Sequence, residues 1–245
     1  MNFSRISNST VLGKVLRSPL RLIPSSTVVP ILQGPLRGKK WIVGSSTHGC
    51  WVGSYEYAQQ TVFAQSLSPE GVVYDLGANV GFYSLLAGAL VGPAGRVYAF
   101  EPLPRNVAYL RKHVALNRLE NCFVFEAAVA DSDGESRFHP FADASMGRLS
   151  DQGQNMVRAV RLDSLHDAGE IVPPTFIKID IEGGELEALK GGARLIERYR
   201  PTIMLATHGA DAHRTCLQFL RDRQYRLESL TAEPVVSAAE LIAHP

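Results

Sequence analysis

From Val72 onward the sequence predicts an α/β fold, a largely parallel sheet with helices on both faces. Two observations predict it. Short apolar runs alternate with helix-like stretches across short connections, the pattern of strand–helix units wound into a parallel sheet. The apolar runs also end in polar residues, Asp75, Glu101, Glu126, Asp180 and His208, which gathers polar chemistry at one rim. Charged side chains are rarely buried without partners, so the recurrence calls for a common cause. A chain of 245 residues has room for one such domain and a modest extra segment.

The elements follow in order. Residues 1–34 are rich in Ser, Pro and Arg and read as an arm; Arg5, Lys14, Arg17 and Arg21 make it basic enough to touch a membrane surface. Its apolar residues are too scattered, with no small-residue cleavage site, for a signal peptide. Gly34 to Glu56, with scattered glycines, predicts a β-hairpin or two short strands. Tyr57–Leu67 reads as a helix, and SPEG as a turn. Val72–Leu76 is a buried strand, Phe82–Val91 a helix, Arg96–Phe100 a second strand. Pro104–Asn117 is a helix with proline at its favoured start. Cys122–Ala127 is a third strand, Thr175–Ile181 a fourth and Thr202–Thr207 a fifth. Leu186–Tyr199 is helical with a break at Gly191-Gly192, Ala212–Arg223 is helical, and Tyr225–Leu230 is a sixth strand. An insertion at about 131–170 carries two further strands, in SRFHPF and MVRAVRL. The chain thus divides into an arm and cap, 1–70, and a domain, 71–245.

Ligands of open parallel sheets bind beyond the carboxyl ends of the strands. The loop after the first strand, Asp75-Leu76-Gly77-Ala78-Asn79-Val80-Gly81, is not the dinucleotide GxGxxG. Gly77 and Gly81 permit a tight turn and close backbone approach to a ligand. An acid at the strand end repels pyrophosphate and suits a cationic amino acid. Glu101 follows Gly81 by about 20 residues, the spacing of a carboxylate that accepts ribose hydroxyls. A nucleoside carrying a positive amino acid points to S-adenosyl-L-methionine.

At these residues the sequence resembles the FkbM-type methyltransferases. The matching stretches are WVGSYE (51–56), YDLGANVGFYSLLA (74–87), VYAFEPLPRNVAYLR (97–111), AAVADSDG (127–134), VRLDSL (160–165), IKIDIEGGELEALKGG (177–192) and RPTIMLATHG (200–209). The resemblance implies a class I Rossmann-like methyltransferase, its seven strands ordered 3-2-1-4-5-7-6 with the last antiparallel. It implies S-adenosylmethionine as cofactor and a hydroxyl of a glycan, lipid-linked saccharide or secondary metabolite as acceptor. Many members carry a glutamate shortly before the position of His208; Leu205-Ala206-Thr207-His208 has none, which moves weight to His208.

A hydroxyl acceptor benefits from a base, and His208 is the first candidate; a structural histidine in a turn is its rival. Asp180 is assigned to the substrate and methyl pocket. Glu182 orients substrate or caps the next helix. These three could instead hold a divalent cation, which is not favoured because such oxygen-rich sites need more ligands. Glu56 reaches over the cofactor or is a surface charge. Asn79 contacts the methionine part or only tolerates a left-handed turn. Glu126 joins the cofactor contacts from the third strand end. Ser145–Gly147 lines the acceptor site or is an ordinary loop. Arg111 and His113 read as solvated. Strand four lacks the Asn- or Asp-Pro-Pro-aromatic tetrapeptide of many amino-group methyltransferases, which favours O-methylation. Other readings are a non-catalytic cofactor-binding partner and an RNA methyltransferase. A net charge of +1 and no basic stripe speak against nucleic acid. Cys50, Cys122 and Cys216 are isolated, as in a reduced cytoplasmic protein rather than a disulfide scaffold or zinc site.

Overall fold

The computed structural model describes Leu20 and residues 22–140, 147–149, 153 and 155–245. The basic positions of the arm, Arg5, Lys14, Arg17 and Arg21, lie outside the described residues, as do Ser145 and Met146. The strands are β1 (Val28–Pro30), β2 (Lys40–Ile42), β3 (Val72–Leu76), β4 (Arg96–Phe100), β5 (Cys122–Phe125), β6 (Ala128–Val129), β7 (Gly134–Pro140), β8 (Gly147–Leu149), β9 (Asn155–Val160), β10 (Phe176–Ile179), β11 (Thr202–Ala206), β12 (Arg226–Ser229) and β13 (Glu240–His244). The helices are α1 (His48–Val52), α2 (Tyr57–Ser66), α3 (Phe82–Val91), α4 (Pro104–Leu116), α5 (Leu162–Asp167), α6 (Glu185–Gly191), α7 (Ala193–Tyr199) and α8 (Ala210–Asp222).

The main sheet has seven strands in the order β12-β13-β11-β10-β3-β4-β5. The five from β11 to β5 are parallel, and β13 runs antiparallel to both β11 and β12. Numbered along the chain, this is the order 3-2-1-4-5-7-6 with an antiparallel last strand. The seventh strand, Glu240–His244, escaped the sequence reading. Its apolar run is three residues long, and one of its two partners, β11, lies beyond α8 and β12 in sequence.

Alternation along each strand splits the core between the two faces. Tyr74, Leu76, Tyr98, Phe100, Ile177 and Leu205 pack on one face with α5 to α8. Val73, Val97, Ala99, Phe176 and Met204 pack on the other, with Trp41, Phe63, Leu85 and Leu110. Asp75 and Lys178 are register partners on β3 and β10. By the same alternation they lie on the face covered by the N-terminal segment and α3.

The segment from Gly34 to Glu56 differs from the expected hairpin. Its first strand begins earlier, at Val28, and after β2 the chain turns through Val43–Ser45 into α1. Three strands of the insertion, β7, β8 and β9, form a separate four-stranded sheet with the preceding β6, in the order β6-β9-β7-β8, and β7 and β9 are the two expected strands. The expected break falls at this glycine pair, Gly191 ending α6 and Gly192 separating it from α7; a Cβ at Gly191 would lie 1.9 Å from the Ala130 carbonyl oxygen.

His113 corrects a sequence expectation. It is fully buried rather than solvated. Its ring stacks on Trp41 with centroids 3.9 Å apart. Nδ1 lies 2.8 Å from the Val80 carbonyl and Nε2 accepts the Ile42 amide at 3.1 Å. These two bonds suit a neutral imidazole, and burial pushes its pKa down to about 4. Arg111 is exposed but not free of partners; it pairs with Glu126 at 3.2 Å.

Candidate active site

A cavity of about 350 Å³ opens beyond the carboxyl ends of β3, β4, β10 and β11, within the size range of small-molecule pockets. Asp75, Gly77, Asn79, Glu101, Asp180, Glu182 and His208 all line it, and Glu56 joins them from the turn before α2. Gly81 follows Val80 at the mouth of α3, and its φ of 95° is one that glycine adopts without strain. Glu126 does not reach the cavity. Strand β5 ends one residue earlier, at Phe125, and at this sheet edge the exposed Glu126 turns outward to Arg111 on α4.

The β3–α3 loop is built to approach closely. Gly77 has φ 83°, and a Cβ there would lie 2.0 Å from the Asp180 carbonyl oxygen. Asn79 is left-handed, with φ 49°, and its Oδ1 accepts the Val80 amide at 2.8 Å, so its side chain holds the turn. Glu101 ties this loop to the next. Its Oε2 accepts the Asn79 amide at 2.9 Å; its Oε1 accepts the Leu103 amide at 2.9 Å and the Asn106 side chain at 3.2 Å. Burial outweighs these donors and raises its pKa to about 7. Asp75 is fully buried. Its Oδ2 accepts the Ser84 hydroxyl at 2.6 Å and its Oδ1 has no partner. Burial raises its pKa against the pull of Lys178 and Ser84.

Lys178, Gln59, Tyr83 and Glu240 also line the cavity, and sequence reading passed over them. The Lys178 ammonium sits 3.2 Å from Asp180 Oδ2 and 4.5 Å from the centre of the Tyr83 ring. Burial opposes the charge on both Lys178 and Asp180, yet each holds the other ionised: the lysine pKa is raised and the aspartate pKa lowered. Strand alternation carried the only early signal for Lys178, since it shares a face with Asp75. The Tyr83 hydroxyl donates to Glu56 Oε2 at 2.8 Å, and burial, then Glu56, pushes its pKa upward. Gln59 donates to Glu240 Oε2 at 2.5 Å, joining α2 to the last strand across the pocket.

His208 follows β11 and is half-buried among carboxylates. Its Nδ1 lies 2.7 Å from Glu185 Oε1, and its Nε2 lies 3.5 Å from Glu182 Oε2 and 3.8 Å from Asp180 Oδ1. The bond to Glu185, against the opposing effect of burial, raises the His208 pKa, and Glu182 and Asp180 add to it. Glu182 is left-handed, with φ 58°, and does not cap α6; Gly184 holds that position without a side-chain bond. Sequence reading missed Glu185. Its carboxylate is wholly buried and also accepts the Gly183 amide at 2.8 Å. Among the described residues no group of three or more His, Cys, Asp or Glu is arranged to hold a metal ion.

The family model described as Methyltransferase FkbM domain matches residues 75–227, more than half of the chain. Hexuronic acid methyltransferase AglP of Haloferax volcanii is 27% identical over 145 residues, covering 58% of this chain and 58% of that protein. The 31-O-demethyl-FK506 methyltransferase FkbM of Streptomyces tacrolimicus is 30% identical over 158 residues, covering 51% of this chain and 60% of that protein. The 2-O-methyltransferase NoeI of Sinorhizobium fredii is 26% identical over 157 residues, covering 54% and 61%. The matched region thus spans less than two thirds of each of these relatives. Among solved structures, a methyltransferase FkbM from Methylobacillus flagellatus shares the fold, with a TM-score of 0.53 and 19% identity; the match covers 81% of this chain and 56% of that one.

Proposed function

This chain belongs to the FkbM methyltransferase family, and from that premise we propose that it is an S-adenosylmethionine-dependent O-methyltransferase. Residues 71–245 form its catalytic domain and residues 1–70 an arm and cap. The acceptor is a hydroxyl of a glycan, a lipid-linked saccharide or a secondary metabolite, and the site of action is the cytoplasm. The observation that carries the reading is a single cavity lined by both Glu101 and His208, one acid suited to a nucleoside and one base suited to a hydroxyl. Two relatives, named 31-O-demethyl-FK506 methyltransferase and 2-O-methyltransferase, support an oxygen acceptor.

The residues present fit the cofactor. Asp75 keeps a buried, unpartnered Oδ1 at the cavity, suited to an ammonium group. Glu101 has three donors on about four lone-pair sites, which leaves room for a ribose hydroxyl. Gly77 lets the backbone lie close where a side chain would not fit. When bound, S-adenosylmethionine supplies an electrophilic methyl group on sulfur and leaves as S-adenosylhomocysteine.

The chain's own groups supply positioning and a proton acceptor. Glu56 reaches over the cofactor, while Asp180 and Glu182 offer carboxylate oxygens that orient acceptor hydroxyls, which contributes to rate by holding nucleophile and methyl in line. Lys178 keeps Asp180 ionised for that role. His208 Nε2 takes the hydroxyl proton as the oxygen–carbon bond forms, so no alkoxide need exist free in water. The test is transfer of labelled methyl from S-adenosylmethionine to a panel of neutral glycosides, uronides and polyketide alcohols. Ether-linked label on any acceptor, lost in His208→Ala, is the expected result. Label on amino groups, or none on any acceptor despite cofactor binding, would contradict it.

A further inference from the structure

We infer that Glu185 is a positioning residue that sets which nitrogen of His208 faces the reaction. The inference rests on the methyl-transfer reading for its purpose, but its physical content concerns only these two side chains.

The two nitrogens of His208 see different surroundings. Nδ1 points at Glu185 Oε1, 2.7 Å away, on a carboxylate with no exposure to solvent. Nε2 points toward Glu182 and Asp180, both of which line the cavity, at 3.5 and 3.8 Å and without a hydrogen bond. A carboxylate only accepts, so the close contact requires the proton on Nδ1. In the neutral ring the lone pair is then on Nε2, the cavity side, where an acceptor hydroxyl would give up its proton. The same carboxylate stabilises the imidazolium that results.

Glu185 is an expensive residue for a merely structural role. Its Oε1 takes both the Gly183 amide and His208, while its buried Oε2 has no partner. An uncharged side chain would cap the Gly183 amide with less desolvation. What only a carboxylate does here is hold a cationic ring. The other groups near His208 do not substitute for it. Asp180 is already paired with Lys178, Glu182 lies on the cavity side, and the preceding Thr207 hydroxyl is turned to His213 and the Ala239 carbonyl.

The test is ¹⁵N-histidine NMR on the full chain, titrated with pH without acceptor. At high pH the neutral His208 is expected to carry its proton on Nδ1. Glu185→Gln is expected to lower the His208 titration midpoint by about one pH unit or more, a tenfold change in its acid dissociation constant. Glu185→Asp is expected to recover part of that shift. A neutral His208 protonated on Nε2 would overturn the inference, as would a folded Glu185→Gln protein that titrates like the native one. If the variant does not fold, the tautomer of the native protein decides alone. Cofactor binding is read separately by calorimetry; its failure would end the methyl-transfer reading and leave the tautomer result standing.

Discussion

Glu101 has two tasks at the scale of the residue, shaping the β3–α3 loop through the Asn79 amide and offering a free lone pair to the cavity. Glu101→Ala should therefore weaken S-adenosylhomocysteine binding by roughly 1.5–3 kcal/mol, the range of hydrogen bonds to a charged group. Calorimetry measures this, and an unchanged affinity would reduce Glu101 to a loop brace. Affinity should also fall as pH drops through about 7, because protonation removes acceptor strength from this carboxyl. His208→Ala should lower kcat by about 10²–10⁴-fold with cofactor affinity nearly intact. The native rate should rise with pH through a midpoint above the ordinary histidine value of about 6.5. The sign follows from the roles: only the neutral ring accepts a proton, and Glu185, Glu182 and Asp180 hold the ring protonated to higher pH. A rate that is flat from pH 6 to 9 would remove the base. That Asp75, Gly77 and Glu101 lie together at one cavity was legible in the sequence because their spacing is local to one strand–turn–helix and the next strand end. Glu185 was not, because its meaning depends on a histidine 23 residues away on another loop. Glu126 misled for a related reason: a strand end in sequence does not say which way the last side chain turns.

Between elements, the packing of β2 on α4 depends on His113, which bridges the Ile42 amide of β2 and the Val80 carbonyl in the β3–α3 loop. Its folded pKa is lowered to about 4, against about 6.5 when unfolded. The unfolded chain therefore binds the proton first as pH falls, so this contribution is present above about 6.5 and lost progressively down to about 4. The loss amounts to roughly 3 kcal/mol, since each unit of difference is worth about 1.4 kcal/mol. Urea unfolding from pH 4 to 7 should show this slope in the native protein and a shallower one in His113→Leu, which is less stable throughout. Equal slopes would place the acid sensitivity elsewhere. The sequence signals for α4 were sound, with Pro104 at its start, but no helical periodicity tells a solvated histidine from one stacked on Trp41. Strand β13 was missed because its identity comes from antiparallel pairing with β11 and β12 rather than from its own five residues. The alternation of strands and helices from Val72 to β11 was legible because each unit is local in sequence.

For the whole molecule, the sheet order brings β3, β4, β10 and β11 side by side, so four strand ends spread over more than a hundred residues share one cavity. The N-terminal segment closes it through Glu56 with Tyr83 and Gln59 with Glu240. The Gln59–Glu240 contact joins α2 to the last strand, 181 residues on, and no local pattern in the sequence announces it. The proposed function requires this cavity to take a nucleoside carrying an amino acid and not a dinucleotide. Isothermal calorimetry of the full chain with S-adenosylhomocysteine and with NAD tests it most directly. Saturable binding of S-adenosylhomocysteine in the micromolar range, about −8 kcal/mol, with no heat from NAD is the predicted result. No heat with S-adenosylhomocysteine and saturable binding of NAD would contradict it.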